Sequence, residues 1–342
     1  MTICMQLTGK SRAVNHIQGM RKQQTIKVWK GDLMELIFFD KLFYEKLWGG
    51  NRLAKYFDTA LAGDKIGECW TVSGHPNGDS TVINGRYKGR TLSWLWQHEK
   101  SIFGNLKGAT FPLLIKIIDA KEDLSVQVHP NDHYAHRHEN GERGKTECWY
   151  ILECEEGAEL ILGHHASHID EMEAMIREER WGELLKKKKI RPGDFLYIPA
   201  GTIHSIGKGT LLLEIQQSSD VTYRVFDFNR LEGGRPRKLD ISKSLDVITI
   251  PHQDYASTPQ ISHMAGGSQT CLVAKEHFTV WKLTVSENLI FEHDETFKLA
   301  SVIKGSGRVA GIEVKKGDHF MVPHQFGSMK IAGEMEIILA HL

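Results

Sequence analysis

The chain has 342 residues, long enough for two domains with a core each. Lys plus Arg and Asp plus Glu both number 43, and no apolar run approaches the roughly 20 residues of a membrane-spanning helix, so neither nucleic acid nor a bilayer is an expected partner. Five cysteines at irregular spacing, with no CxxC pair, argue against a disulfide framework and for a soluble, cytoplasmic protein acting on a small molecule.

Residues 1–33 carry Lys10, Arg12, Arg21, Lys22, Lys27 and Lys30 with no acid before Asp32, a basic arm expected to be an extension outside the fold. Met34 then opens MELIFFDKLFYEKLWGG, which reads like a natural start. From Gly67 to Arg90 short strand-like runs alternate with turn signals, and a helix is expected over 91–103. Further strand-like runs follow: LLIKIIDA, LSVQVH, ECWYILE, AELILGH, DFLYIPA, HSIG and LLLEIQQ. Residues 167–189 interrupt them with apolar positions at near-helical spacing, predicting a helical insertion. LEGGRPRKLD, after Arg230, reads as a linker, and a second β-rich series runs from about 241 to 342.

That series repeats the first. PGDFLYIPAGTIHS aligns with KGDHFMVPHQFGSM at an offset of 124 positions, superposing Gly193 on Gly317 and Pro199 on Pro323. ECWYILE aligns with KLASVIK at an offset of 151, and the 27-residue difference matches the helical insertion. The expectation is a mainly β chain: a metal-binding domain over 34–235 and a degenerate copy over 236–342, where Ser328 replaces His204 and Lys298 replaces Glu147.

The strongest local signal is G-x5-P-x-G-x2-H through Gly193, Pro199, Gly201 and His204, in which a tight turn aims His204 inward. Gln127 and His129 share a strand face, and Glu147 follows on the next strand after the polar loop 130–145. Two imidazoles and a carboxylate, with a weak amide oxygen from Gln127, leave coordination positions open for water or substrate, as in a catalytic centre. These ligand types suit Zn2+ and also Fe2+. His133, His136 and His138, in the polar loop, and His164, His165 and His168, beside the insertion, are expected not to be ligands. Glu214, Asp220 and Arg224 can border the same cavity, the carboxylates as proton shuttles and the Arg as an anion partner. Lys145, two residues before Glu147, should share its face and meet an anionic substrate group.

PxGxxH is the second motif of the cupin barrels. Together, LLIKIIDAKEDLSVQVHPND, GKTECWYIL, PGDFLYIPAGTIHSIG and LLLEIQQSSDVTYRVFDFNR, with KLWGG and GECWTVSGHPNGDS, resemble type I mannose-6-phosphate isomerases in their short bacterial form. The resemblance implies two cupin (jelly-roll) barrels and one Zn2+ per chain on Gln127, His129, Glu147 and His204. It implies a catalytic Arg224, Glu214 and Asp220 as acid-base candidates, and Lys116, Ser125 and Lys145 facing the sugar phosphate. The implied reaction interconverts mannose 6-phosphate and fructose 6-phosphate through a cis-enediol. An Fe(II) cupin oxygenase and a non-catalytic sugar-binding cupin are the alternatives.

Overall fold

The computed structural model describes residues 13–14, 34–256, 258–292 and 296–342. The expectation that residues 1–33 stand apart from the fold lies outside the described residues, save that the backbones of Ala13 and Val14 pair with Tyr44 and Phe43.

Two sheets make the first unit. One runs in the order β1 (Leu42–Gly50), β2 (Ile66–His75), β3 (Leu113–Ala120), β10 (Thr210–Gln217), β5 (Glu147–Cys154), β8 (Phe195–Ile198). The other runs β7 (Leu185–Lys189), β6 (Glu159–His164), β9 (His204–Ser205), β4 (Val126–Val128), β11 (Tyr223–Phe226). The mainly β expectation holds: among the described residues neither sheet closes on itself, and the two face each other as a sandwich, the layout of a jelly roll.

Strands β2, β3 and β10 are buried along their whole length, so the polar and charged residues they carry, Glu68, Lys116 and Glu214 among them, are buried as well. On the inner face Ile118, Trp149, Ile151 and Leu212 pack with Leu160 of the second sheet. On the outer face Ile115, Ile117, Tyr150, Leu213 and Ile215 join Phe278, Val280, Phe297, Leu299 and Ile338 of the C-terminal unit in one core. The C-terminal sheet therefore lies directly behind the strands that carry Lys116, Glu147 and Glu214.

The internal repeat is visible as matching register. Ile198 pairs with Glu147 and Phe195 with Tyr150, while Val322 pairs with Lys298 and His319 with Ser301. The C-terminal sheet also takes in Ile37–Phe38, which pairs with Met321 and Phe320, so its edge comes from the beginning of the described chain.

Three local expectations are corrected. The insertion is helical only over Ile169–Arg177 and Trp181–Leu184, and Leu185–Lys189 is an edge strand. Its run of lysines suits an edge, where charge discourages further strand pairing. The loop 130–145 holds a helix, Asp132–His138, capped by the Asn131 side chain, which accepts from the Tyr134 N–H at 2.9 Å. The LEGGRPRKLD linker is pinned: Asp227 binds both Arg230 and Arg237 at 2.5 Å, and Leu231–Glu232 pairs with Arg235–Pro236. Among the described residues no helix is long and apolar enough to cross a membrane.

Phe297 is fully buried, with ring centroids 5.3 Å from Phe103 and 5.5 Å from Phe111, joining the C-terminal unit to the first. Phe297→Ala should lower the stability of the whole chain by about 3–5 kcal/mol, read as an earlier midpoint in chemical denaturation followed by fluorescence.

Candidate metal centre

The centre lies between the two sheets of the first unit. Across the second sheet His204 pairs with Gln127 and Gln127 with Arg224, so the three side chains project from one face in a row. His129 follows β4 two residues after Gln127, and Glu147 opens β5 in the opposite sheet. The PxGxxH turn does what its spacing requires. Gly201 has φ +87°, and a Cβ there would lie 2.5 Å from Thr249 Oγ1 and 2.9 Å from the Val247 carbonyl. Its N–H donates to the His129 carbonyl at 2.8 Å, tying the two histidine segments together.

Second partners fix both imidazoles. His129 Nδ1 donates to the Val221 carbonyl and His204 Nδ1 to the Thr202 carbonyl, each at 2.9 Å, leaving both Nε2 atoms as lone-pair donors. Burial holds both rings neutral: His204 is pushed down to about 4, and His129 well below the usual histidine range. His204 Nε2 lies 3.3 Å from Glu147 Oε1 and His129 Nε2 lies 3.5 Å from Glu147 Oε2. Bonds of about 2.1 Å at tetrahedral angles put neighbouring donor atoms about 3.4 Å apart, so the spacing fits a small divalent ion. Glu147 Oε1, fully buried, has no hydrogen-bond partner among the described residues, an acceptor aimed at a cation. His129, Glu147 and His204 form the one such group of His, Cys, Asp and Glu side chains among the described residues. His133, His136, His138, His164, His165 and His168 do not belong to it.

Gln127 Nε2 lies 3.3 Å from His204 Nε2, and turning its amide by half a rotation would present the carbonyl oxygen there instead. Lys145, also buried, puts its ammonium 2.5 Å from Glu147 Oε2 and 3.3 Å from His129 Nε2, a positive charge against the same donors. Burial raises the Glu147 carboxyl above the usual range even against that contact.

The remaining expected residues divide by depth. Glu214 is buried, with Oε1 accepting from Trp149 Nε1 at 3.1 Å, Lys116 Nζ at 3.4 Å from Oε2 and Lys145 Nζ at 3.9 Å from Oε1. Burial pushes its carboxyl up, but Lys145, Lys116 and the indole N–H outweigh that and keep it below the usual range. Lys116 is enclosed rather than presented: it pairs with Glu214 and, at 3.9 Å, with Glu68, and its ammonium lies 5.0 Å from the centroid of the Trp70 ring. Ser125 is buried just before β4. Arg224 is half-buried and donates to the Lys238 carbonyl at 3.0 Å, with its Nε buried and without a hydrogen-bond partner among the described residues. Asp220 is exposed and accepts from Asn77 Nδ2 at 3.1 Å.

Two contributors escape a reading of the sequence. Glu68 accepts from Trp70 Nε1 at 2.8 Å and pairs with Lys46 at 3.1 Å, and although burial alone would raise its carboxyl, those partners and Lys116 bring it down to about 2. Trp149 touches both His204 and Glu214. Its position two residues beyond Glu147, hence on the same strand face, is the only sequence signal that could have found it.

Comparisons with known proteins agree with this picture. The model for "Phosphomannose isomerase type I, catalytic domain" matches residues 37–163, and that for "Mannose-6-phosphate isomerase, cupin domain" matches residues 268–342. The mannose-6-phosphate isomerase ManA of Bacillus subtilis is 46% identical, covering 90% of this chain and 99% of its own length. The mannose-6-phosphate isomerase of Streptococcus mutans is 45% identical, with the same two coverages. The crystal structure of the mannose 6-phosphate isomerase from Bacillus subtilis superposes with a TM-score of 0.89 at 44% identity, covering 90% of this chain and all of that one. The apo form of the Salmonella typhimurium mannose 6-phosphate isomerase, at 13% identity and a TM-score of 0.71, shares the fold.

Glu147→Gln keeps the shape of the side chain and removes its charge. Bound divalent ion should drop at least tenfold relative to the unaltered protein, measured by elemental analysis after dialysis against trace metal.

Proposed function

The chain belongs to the type I phosphomannose isomerase family, and from that premise we infer that it is an aldose–ketose isomerase interconverting mannose 6-phosphate and fructose 6-phosphate through a cis-enediol. The observation that carries this reading is the convergence of two neutral imidazole Nε2 atoms and both Glu147 oxygens within 3.3–3.5 Å, beside a buried ionised carboxylate on Glu214. Membership of the family favours the isomerase over the Fe(II) oxygenase and over a non-catalytic sugar-binding cupin.

Zn2+, one per chain, would be held by His129, Glu147 and His204 with Gln127 as a fourth ligand. The reaction has no net redox change, and a redox-inert ion with mixed nitrogen and oxygen ligands meets its needs. When bound, the ion polarises the sugar oxygens at C1 and C2 as a Lewis acid.

The chain's own residues supply the rest. Isomerisation of the open-chain sugar moves one proton from C2 to C1 and a second from the C2 oxygen to the C1 oxygen, the enediol lying between the two. Glu214 is the residue we assign to carry the first, because its carboxylate is buried, held ionised, and within 3.9 Å of the Lys145 ammonium that lies against the metal ligands. Asp220, exposed at the edge beside Asn77, fits a role at the rim better than proton transfer. Arg224 projects from the same sheet face as Gln127 and His204 and has a spare buried Nε, which suits it to stabilise the enediolate oxygen. Lys145 meets negative charge on the substrate from the side of Glu147. Lys116 acts chiefly by holding Glu214 in its charged form, and Ser125 offers a hydroxyl near the phosphate.

Turnover of mannose 6-phosphate should vanish on chelation and return when Zn2+ is restored; undiminished activity in metal-stripped protein would remove the centre from the reaction. Arg224→Ala should lower kcat by about 100-fold, the effect of losing one well-aimed stabilising group, with metal content unchanged on elemental analysis.

A further inference from the structure

Trp149 is fully buried on the inner face of β5. Its ring stands edge-on to His204, with centroids 5.4 Å apart and planes at 78°. Its Nε1 donates to Glu214 Oε1 at 3.1 Å, while Glu214 Oε2 has no hydrogen bond among the described residues. The two lysines beside Glu214 stand at 3.4 and 3.9 Å and attract its charge without fixing the rotation of the carboxylate. The indole N–H is therefore the directional contact. It is also neutral, so it orients the carboxylate without adding another cation beside Lys116, Lys145 and a divalent ion.

Resting on the assignment of Glu214 as the proton carrier, we propose that Trp149 is a positioning residue that aims the Glu214 carboxylate at the C1–C2 edge of the bound sugar. A buried indole needs a partner for its N–H in any case, so Glu214 could serve Trp149 structurally and nothing more. The two roles differ in what removal of the N–H does. If Trp149 acts through Glu214, its loss costs proton transfer and leaves substrate affinity and metal content alone. The loss also takes a donor from the ionised carboxylate, so the group ionises at higher pH.

The test is a double-mutant cycle on the metal-loaded enzyme with Trp149→Phe, Glu214→Gln and the double variant, reading kcat, KM and metal content. Trp149→Phe should lower kcat about tenfold with KM within about twofold, and move the acid limb of kcat/KM to higher pH. In the Glu214→Gln background the same change should cost less than about twofold. Losses that multiply in the double variant, unchanged kcat in Trp149→Phe, or loss of metal from that variant would overturn the inference while leaving the role of Glu214 intact. Wild-type turnover in Glu214→Gln would instead sink the assignment of Glu214, and the inference with it. Should Trp149→Phe fail to fold, a benzothienyl-alanine at 149, which keeps the bicyclic shape and replaces the N–H by sulfur, must give the same pattern.

Discussion

Both faces of the strands that carry the site are buried, so each charge placed on their inner side must find an opposite charge there. The result is a chain of alternating charge from Lys46 through Glu68, Lys116, Glu214 and Lys145 to Glu147, with separations of 2.5–3.9 Å. An unpaired member at that depth would carry several kcal/mol of desolvation, roughly the size of the net stability of a domain. Pairing also sets charge state. Lys116 and Lys145 keep Glu214 ionised where burial would neutralise it, and at the inner end Glu147 faces two imidazoles that burial keeps neutral. A divalent ion seated on those ligands would extend the same alternation by one step.

The C-terminal unit gives this arrangement its back wall. Its sheet packs on the outer face of β3, β5 and β10, while their inner face carries Lys116, Glu147 and Glu214. Strand geometry places neighbouring residues on opposite faces, so Ile115, Tyr150 and Ile215 anchor in one core while their neighbours Lys116, Trp149 and Glu214 point into the other. The repeat in the C-terminal unit carries Lys298 at the position of Glu147, and its equivalent strands pair in the same register.

Much of this is legible in the residues themselves. The candidate ligands are legible because their spacing is set by local backbone: a glycine turn before His204, alternation between Gln127 and His129, and a strand start at Glu147. The repeat is legible because Gly193 and Gly317 both need positive φ, at +92° and +85°. What is not legible depends on which strands become neighbours. Lys116 is marked in LLIKIIDA only by the resemblance, and the pairing of β3 with β10 is what sets Glu214 beside it. Trp149 reads as core, and only the approach of β9 brings His204 to its edge. The tract 185–189 reads as the end of a helical insertion because Leu184 and Leu185 continue its near-helical apolar spacing, but pairing with β6 makes it a strand.

Ile37 and Phe38 complete the far sheet beside His319–Val322, although nearly the whole described chain separates the two segments. Loop-closure entropy makes such a distant contact slow to form, and during synthesis it must wait until residue 322 has left the ribosome. The first unit can pair its own strands long before then, so Ile37–Phe38 waits through that stage without its sheet partner. A nascent chain at that stage exposes the unpaired edge of Ile37–Phe38 to any passing strand, which makes this short segment the place where misassembly and chaperone contact would concentrate.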